Sequence, residues 1–183
     1  MTRIAIISGT DRPNSYALKV SNYIQREITK LGYDAIVIDL QEFPIVDVAG
    51  GRYGDEIESI KTYNKPILES DGMLFVVPEY NGSFPGILKL FIDYLPFPSA
   101  FKNVPIAFVG EAGGAFGALR AVEQLQMVAA YRMAFQYPER VFINRVKDNF
   151  DVETGPKIPL QNELMQSMIK GFAEFVTNHK NQP

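Results

Sequence analysis

The chain alternates between short unbroken apolar runs and longer amphipathic stretches, a pattern of strands buried on both faces and separated by helices. Arg3 to Ser8 contains Ile4-Ala5-Ile6-Ile7 and reads as a first strand. From Ser15 to Leu31 the apolar residues Leu18, Tyr23, Ile24, Ile28 and Leu31 recur at nearly helical spacing, and Gly32 is placed to close that helix. Asp34 to Leu40 reads as a second strand, and Gln41 to Tyr53 as a loop rich in turn formers. A weaker helix from about Asp55 is expected to break near Asn64-Lys65-Pro66, because an interior proline loses a hydrogen bond and clashes with the preceding turn. Pro66 could instead begin a new short helix.

Gly72 to Val77 is a third strand, apolar throughout, and Pro85 opens a helix that runs to Tyr94 or Leu95 before Pro96 and Pro98 stop it. Val104 to Gly110 is a fourth strand, Phe116 to Phe135 a long helix, and Arg140 to Arg145 a fifth strand. A closing helix, Pro159 to Asn178, carries Leu160, Leu164, Met168, Phe172 and Phe175 on one face, and the polar segment Lys147 to Lys157 reads as an exposed loop. Five successive βα units argue for one α/β domain over residues 1–183, a parallel sheet with helices on both faces and right-handed crossovers.

Composition narrows the function. With 183 residues, 46% of them hydrophobic, the chain can bury a sizeable core. A net charge of -3 with no Lys/Arg cluster gives no field for nucleic acid or an anionic membrane, so the expected partners are small molecules. There is no cysteine, which excludes a thiolate nucleophile, a Cys-ligated metal and a redox-active thiol pair. Redox chemistry would need a borrowed cofactor. The amino-terminal apolar run is too short for a signal-peptide core and no stretch is long enough to span a bilayer, so a cytoplasmic protein is the expectation.

In such a sheet, ligands bind where loops leave the carboxyl ends of the strands. The loop after strand three, Pro78-Glu79-Tyr80-Asn81-Gly82-Ser83-Phe84-Pro85-Gly86, has two prolines, two glycines, a carboxylate, a phenol, an amide and a hydroxyl, although proline and glycine also punctuate ordinary strand-to-helix turns. The loop after strand one, Ser8 to Tyr16, leads into a helix whose first N–H groups and dipole attract anions. Thr10, Asn14 and Ser15 add donors and Arg12 adds a guanidinium, which suits a phosphate; helix capping alone would explain one of these donors. The loop lacks the lysine of a P-loop and the spacing Gly-x-Gly-x-x-Gly. After strand four, Gly110 to Arg120 is glycine-rich, which allows a flat ligand close approach or simply starts a helix. Arg120 at that helix's start is disfavoured by the dipole and hints at a partner such as a carboxylate across a subunit interface, although an exposed, unpaired arginine is the commoner case.

Taken together, these loops resemble the NADPH-dependent FMN reductase family, flavodoxin-like flavoproteins that include quinone, azo-dye and chromate reductases. Pro78 to Lys89 is close to that family's P-E-Y-N-x-S-x-P-G-x-L-K signature. The resemblance implies a three-layer flavodoxin-like fold with strand order 2-1-3-4-5, FMN as cofactor, NADPH or NADH as donor and a small-molecule acceptor. It places Pro78, Glu79, Tyr80 and Asn81 along the isoalloxazine ring and counts Ser83 among the cofactor-binding residues. It likewise puts Gly9, Thr10, Arg12, Asn14, Ser15 and Tyr16 around the FMN phosphate, and Gly113 and Gly114 near the pyrimidine side of the ring. Three departures stand out: Thr10 replaces a serine, Ala17 replaces an asparagine, and Glu111-Ala112 stands where relatives often carry small hydroxyl residues. A carboxylate at Glu111 beside the ring would disfavour an anionic reduced flavin unless it is turned away or protonated.

No side chain needs a catalytic role if the flavin carries the chemistry, and the lone His179 is expected to be solvated near the carboxyl terminus. The resemblance implies a homodimer or homotetramer, for which Leu90, Phe91, Phe97, Phe101, Met127, Tyr131 and Phe135 are the apolar candidates unless they are ordinary core. Two rival readings keep the fold: a flavodoxin-like electron carrier, and a binding module without flavin.

Overall fold

The computed structural model describes residues 1–180. In chain order the elements are β1 (Arg3–Ser8), α1 (Tyr16–Lys30), β2 (Asp34–Asp39), a 3-10 turn, α2 (Ile45–Val48), α3 (Glu58–Leu68), β3 (Gly72–Pro78) and α4 (Gly86–Asp93). Then follow β4 (Pro105–Glu111), α5 (Leu119–Tyr131), β5 (Phe135–Ile143), α6 (Val146–Asn149), β6 (Phe150–Asp151), β7 (Gly155–Pro156) and α7 (Pro159–Lys180). The five long strands form one parallel sheet in the order β2-β1-β3-β4-β5.

Strand periodicity splits the core in two, because successive side chains point to opposite faces. Ile4, Ile6, Leu74, Val76, Ala107 and Val109 face α1 and α7, where they meet Ile24, Ile28, Met168 and Phe172. Ala5, Ile7, Phe75, Val77 and Phe108 face the other way, toward Ile60, Leu88, Phe91, Val122 and Leu125 of α3, α4 and α5. Every residue of β3 and β4 is buried, which explains their unbroken apolar runs.

Several boundaries differ from the sequence expectation, each for a local reason. Helix α3 runs through Pro66 to Leu68. The proline lies in the last turn, where the carbonyl it orphans belongs to exposed Thr62 and can meet water. Helix α5 starts three residues later than expected because Gly117 and Ala118 take left-handed backbone, φ 58° and 69°. It ends at Tyr131 because Met133 is also left-handed (φ 64°), and Phe135 belongs to β5, paired with Pro105. Leu160 and Leu164 are exposed on α7, whose buried stripe is Met165, Met168, Ile169, Phe172, Ala173 and Val176. The 147–157 segment includes most of α6 and the β6–β7 hairpin, with Phe150, Gly155 and Pro156 buried, and short helical turns occupy Leu40–Glu42 and Ile45–Val48 within the expected loop. His179 packs its ring 4.0 Å from that of Phe175 and pairs Nδ1 with the Phe175 carbonyl at 2.9 Å.

One buried cation has a structural task. Arg132 follows the last residue of α5 and donates to the carbonyls of Ile92, Leu95 and Pro96 at 2.8–3.1 Å, satisfying the carboxyl end of α4. Among the described residues, no helix is long and apolar enough to cross a membrane.

At Gly110 an added Cβ would collide with the Gly117 carbonyl and with the Phe142 ring, whereas one at Gly114 would meet open space. Gly110→Ala is therefore expected to lower unfolding free energy in urea by about 1–3 kcal/mol, and Gly114→Ala by less than about 0.5 kcal/mol.

Candidate functional site

The carboxyl ends of β1, β3 and β4 meet where the strand order reverses, and a cavity of about 460 Å³ opens there, a size suited to a small organic ligand. A second cavity of about 150 Å³ adjoins it through Glu79, Ala112 and Gly113, so the two form one groove along the sheet edge.

The β1–α1 turn forms one wall. Asn14 takes left-handed backbone (φ 55°), and Ser15 caps α1 by accepting the Leu18 N–H at 3.1 Å. That leaves the Tyr16 and Ala17 N–H groups at the helix end without intrahelical acceptors. Arg12, Asn14, Ser15 and Tyr16 line the cavity. Gly9 and Thr10 lie behind it. Gly9 donates its N–H to the Val76 carbonyl at 2.9 Å, and an added Cβ would sit 2.6 Å from that oxygen. Thr10 Oγ1, nearly fully buried, meets the Tyr80 hydroxyl at 2.9 Å and accepts the Arg12 N–H at 3.2 Å, so it ties two loops together.

The second wall follows β3. Asn81-Gly82 forms a tight turn with both φ angles positive (53° and 77°), closed by reciprocal backbone hydrogen bonds between Tyr80 and Ser83 at 2.8 and 3.1 Å. Ser83 turns its hydroxyl to Gln124 Oε1 at 2.6 Å, and Gln124 Nε2 donates to the Gly82 carbonyl at 3.1 Å, which anchors the turn to α5. Pro78, Glu79 and Tyr80 face the larger cavity, Glu79 and Asn81 the smaller. Glu79 Oε1 lies 3.6 Å from Arg120, so the carboxylate partner of that arginine comes from within the chain and not from across a subunit interface, while Glu79 Oε2 is buried without a hydrogen-bond partner.

The third wall follows β4. Ala112 donates to the Ile143 carbonyl, Val146 to Ala112 and Arg145 to Gly114, all at 3.0–3.1 Å, so this loop is bound to the segment after β5. Consequently Val146 and Lys147 reach the cavity, a contribution that sequence reasoning missed because the polar segment after strand five carried no ligand signal. Gly113 and Gly114 border open space. Glu111 also lines the cavity although it is only 5% exposed. Burial pushes its carboxyl up to about 7, against the opposing pull of the Arg12 charge and the Ala17 backbone N–H.

A doubly wound 2-1-3-4-5 sheet with its ligand groove at the β1/β3 switch point defines a flavodoxin-like domain. The chain belongs to the NADPH-dependent FMN reductase family, whose profile it matches over residues 2–148. With that membership come the oxidoreductase class, FMN and NADPH. It is 29% identical over 185 residues to a quinone reductase of Pseudomonas putida, covering 94% of each chain. It is 25% identical over 178 residues to an NADPH azoreductase of Bacillus sp. (strain OY1-2), covering 97% of this chain and 94% of that one. Its fold matches that of a flavoenzyme NAD(P)H:(acceptor) oxidoreductase from Paracoccus denitrificans with a TM-score of 0.78 at 21% identity, over 98% and 99% of the two chains.

The residues present fit an FMN: helix-end N–H groups and a guanidinium for a phosphate, and an adjoining groove with glycines on one side for a flat ring. The exception is Glu111, an acid at the end of the groove that attracts anions. Its raised pKa has a stability consequence of definite sign. The folded state holds a proton that the unfolded chain has released, so stability falls as pH rises from about 4.5 to about 7. Glu111→Gln is expected to stabilise the flavin-free protein at pH 8 by up to about 3 kcal/mol, with most of the gain gone at pH 4, as read by urea unfolding at both pH values.

Proposed function

We propose that this chain is an FMN-dependent NAD(P)H oxidoreductase that passes electrons to a quinone, azo or similar flat acceptor, with the groove at the carboxyl edge as its flavin site. The observation that carries the reading is that one groove gathers the Pro78–Asn81 loop, the open end of α1 with Arg12, and the glycine-rich loop after β4. The activities of its quinone and azo reductase relatives support the acceptor class.

Within this reading Arg12, Asn14, Ser15, Tyr16 and the first N–H groups of α1 hold the phosphate, and Gly9 and Thr10 fix the turn that presents them. Pro78, Glu79, Tyr80 and Asn81 run along the ring, with Ser83 closing their turn. Gly113 and Gly114 bound its other edge, and Glu111 limits the phosphate end. Bound FMN supplies the two-electron chemistry. The chain orients it, screens one face from water, and leaves the groove mouth for donor and acceptor in turn.

The deciding experiment is the visible spectrum of protein reconstituted with FMN, desalted, and mixed anaerobically with NADPH. Prompt bleaching of retained flavin supports the reductase. Retained flavin that neither NADPH nor NADH bleaches indicates a one-electron carrier, and loss of flavin on desalting indicates a binding module. Arg12→Ala is expected to weaken FMN binding by about 1.5–3 kcal/mol, measured by quenching of flavin fluorescence.

We further propose a cytoplasmic homo-oligomer assembled through the α4–α5 face. Phe91 and Phe101, two of the seven apolar candidates, are buried core, but Phe97, Met127 and Tyr131 are exposed together around an apolar hollow of about 520 Å³. Tyr131→Glu is expected to shift the mass in sedimentation toward the 20.5 kDa of a single chain.

A further inference from the structure

Glu111 sits where an anion site would not be expected to carry an acid. It is the last residue of β4, in register with Pro78 of β3 and Ile143 of β5, so its backbone is held on both sides. The residue is only 5% exposed, and it lines the cavity onto which α1 opens. The helix end, with the Arg12 guanidinium beside it, attracts negative charge, and the chain has placed a carboxyl group of its own there.

The charged groups around that cavity come from every wall. Arg12 comes from the β1–α1 turn, Glu79 from the loop after β3, and Lys147 from α6, while the phenols of Tyr16 and Tyr80 complete the titratable lining. Glu79 is offset by Arg120. Asp11, Arg145 and Asp148, next to these walls, are exposed to solvent. Of all these charges, Arg12 is the one that acts on Glu111, whose carboxyl also draws the Ala17 backbone N–H at the start of α1. Arg12, even with the exposed Lys147 across the cavity, leaves a carboxylate and a doubly charged phosphate with one negative charge in excess, and like charges in a partly dry site drive one of them to protonate.

We propose that Glu111 makes phosphate capture at the amino end of α1 conditional on proton uptake, so that a phosphomonoester enters as the carboxyl becomes neutral and an ionised Glu111 excludes it. The proton comes from solvent and rests on a carboxyl oxygen, whose O–H can then donate to a phosphate oxygen. No covalent bond is made or broken. Because burial brings the carboxyl up to about 7, the exchange operates at neutral pH. The inference rests on the FMN reading above and adds a specificity residue to it.

The test is calorimetric titration of the flavin-free protein with FMN and with riboflavin, which lacks the phosphate, between pH 7 and pH 9. That range lies above the second ionisation of the phosphate, near 6. The FMN dissociation constant is expected to rise about fiftyfold across it, with riboflavin unaffected, and Glu111→Gln is expected to bind FMN with no such slope. Wild-type protein alone gives a second reading: titrations in two buffers of different ionisation enthalpy should report about half a proton taken up at pH 7 and nearly one at pH 8.5. An FMN constant that stays flat, a slope shared by riboflavin, or binding without proton uptake overturns the inference. Should FMN bind at no pH, the flavin reading fails first. Inorganic sulfate then serves as the probe, with the carbon-13 signal of the Glu111 carboxyl as readout. A titration midpoint raised by sulfate upholds the inference, and an unchanged midpoint overturns it.

Discussion

The site depends on how closely the ends of three parallel strands approach one another. Gly9 lies against the Val76 carbonyl, and Gly110 against the carbonyl of Gly117 and the ring of Phe142. Any side chain at either place would push β1 from β3, or lift the loop after β4 off β5. With none there, the three loops leave the edge side by side, Thr10 bonding to Tyr80 across two of them and Ala112 tying the third to Ile143 and Val146 at the end of β5 and beyond. The groove is thus organised by contacts within the chain, which lowers the entropy lost when a ligand enters.

That framework also sorts the charges. Arg120 stands at the first turn of α5, where the dipole disfavours a cation, and Glu79 compensates it across the gap between two loops. The pair links the β3 loop to α5, as Ser83 and Gln124 do through neutral hydrogen bonds. Exposed on one side, the ion pair adds little stability by itself. Its effect is to offset Glu79, so that the electrostatics of the larger cavity reduce chiefly to the Arg12 guanidinium, the exposed Lys147, a helix end and one buried acid.

Much of this was legible in the sequence, for physical reasons that differ by element. Strands β1 and β3 have their expected starts because strands buried on both faces are unbroken apolar runs, and α1 because Ser15 and Gly32 mark both its ends. The helix α5 and strand β5 were misdivided at Phe135 because an exposed aromatic fits either period, and the left-handed backbone at Ala118 and Met133 has no residue signature. The buried face of α7 was legible at Met168, Phe172 and Phe175 but was extended too far toward the amino end, because Leu160 and Leu164 are apolar yet exposed. At the site, residue types announced which loops mattered, but not that Thr10 turns inward to Tyr80 or that Lys147 arrives from beyond β5. Such facts are long-range, set by which loops the sheet order makes neighbours.

The buried acid joins the stability of the fold to the chemistry of the groove. An ionised Glu111 is costly in the empty protein because burial withdraws its hydration, and Arg12 returns only part of what is lost. Linkage makes the coupling reciprocal: by whatever factor an ionised Glu111 weakens a phosphate, a bound phosphate favours the protonated acid by the same factor. The folded protein with its ligand in place therefore holds the proton to higher pH than the folded protein without it. Between those two pH values the ligand stabilises the fold by its own contacts while keeping the proton that relieves the strained carboxyl. A glutamine at that position would remove the strain and the coupling together, because both arise from the same negative charge held in the same place.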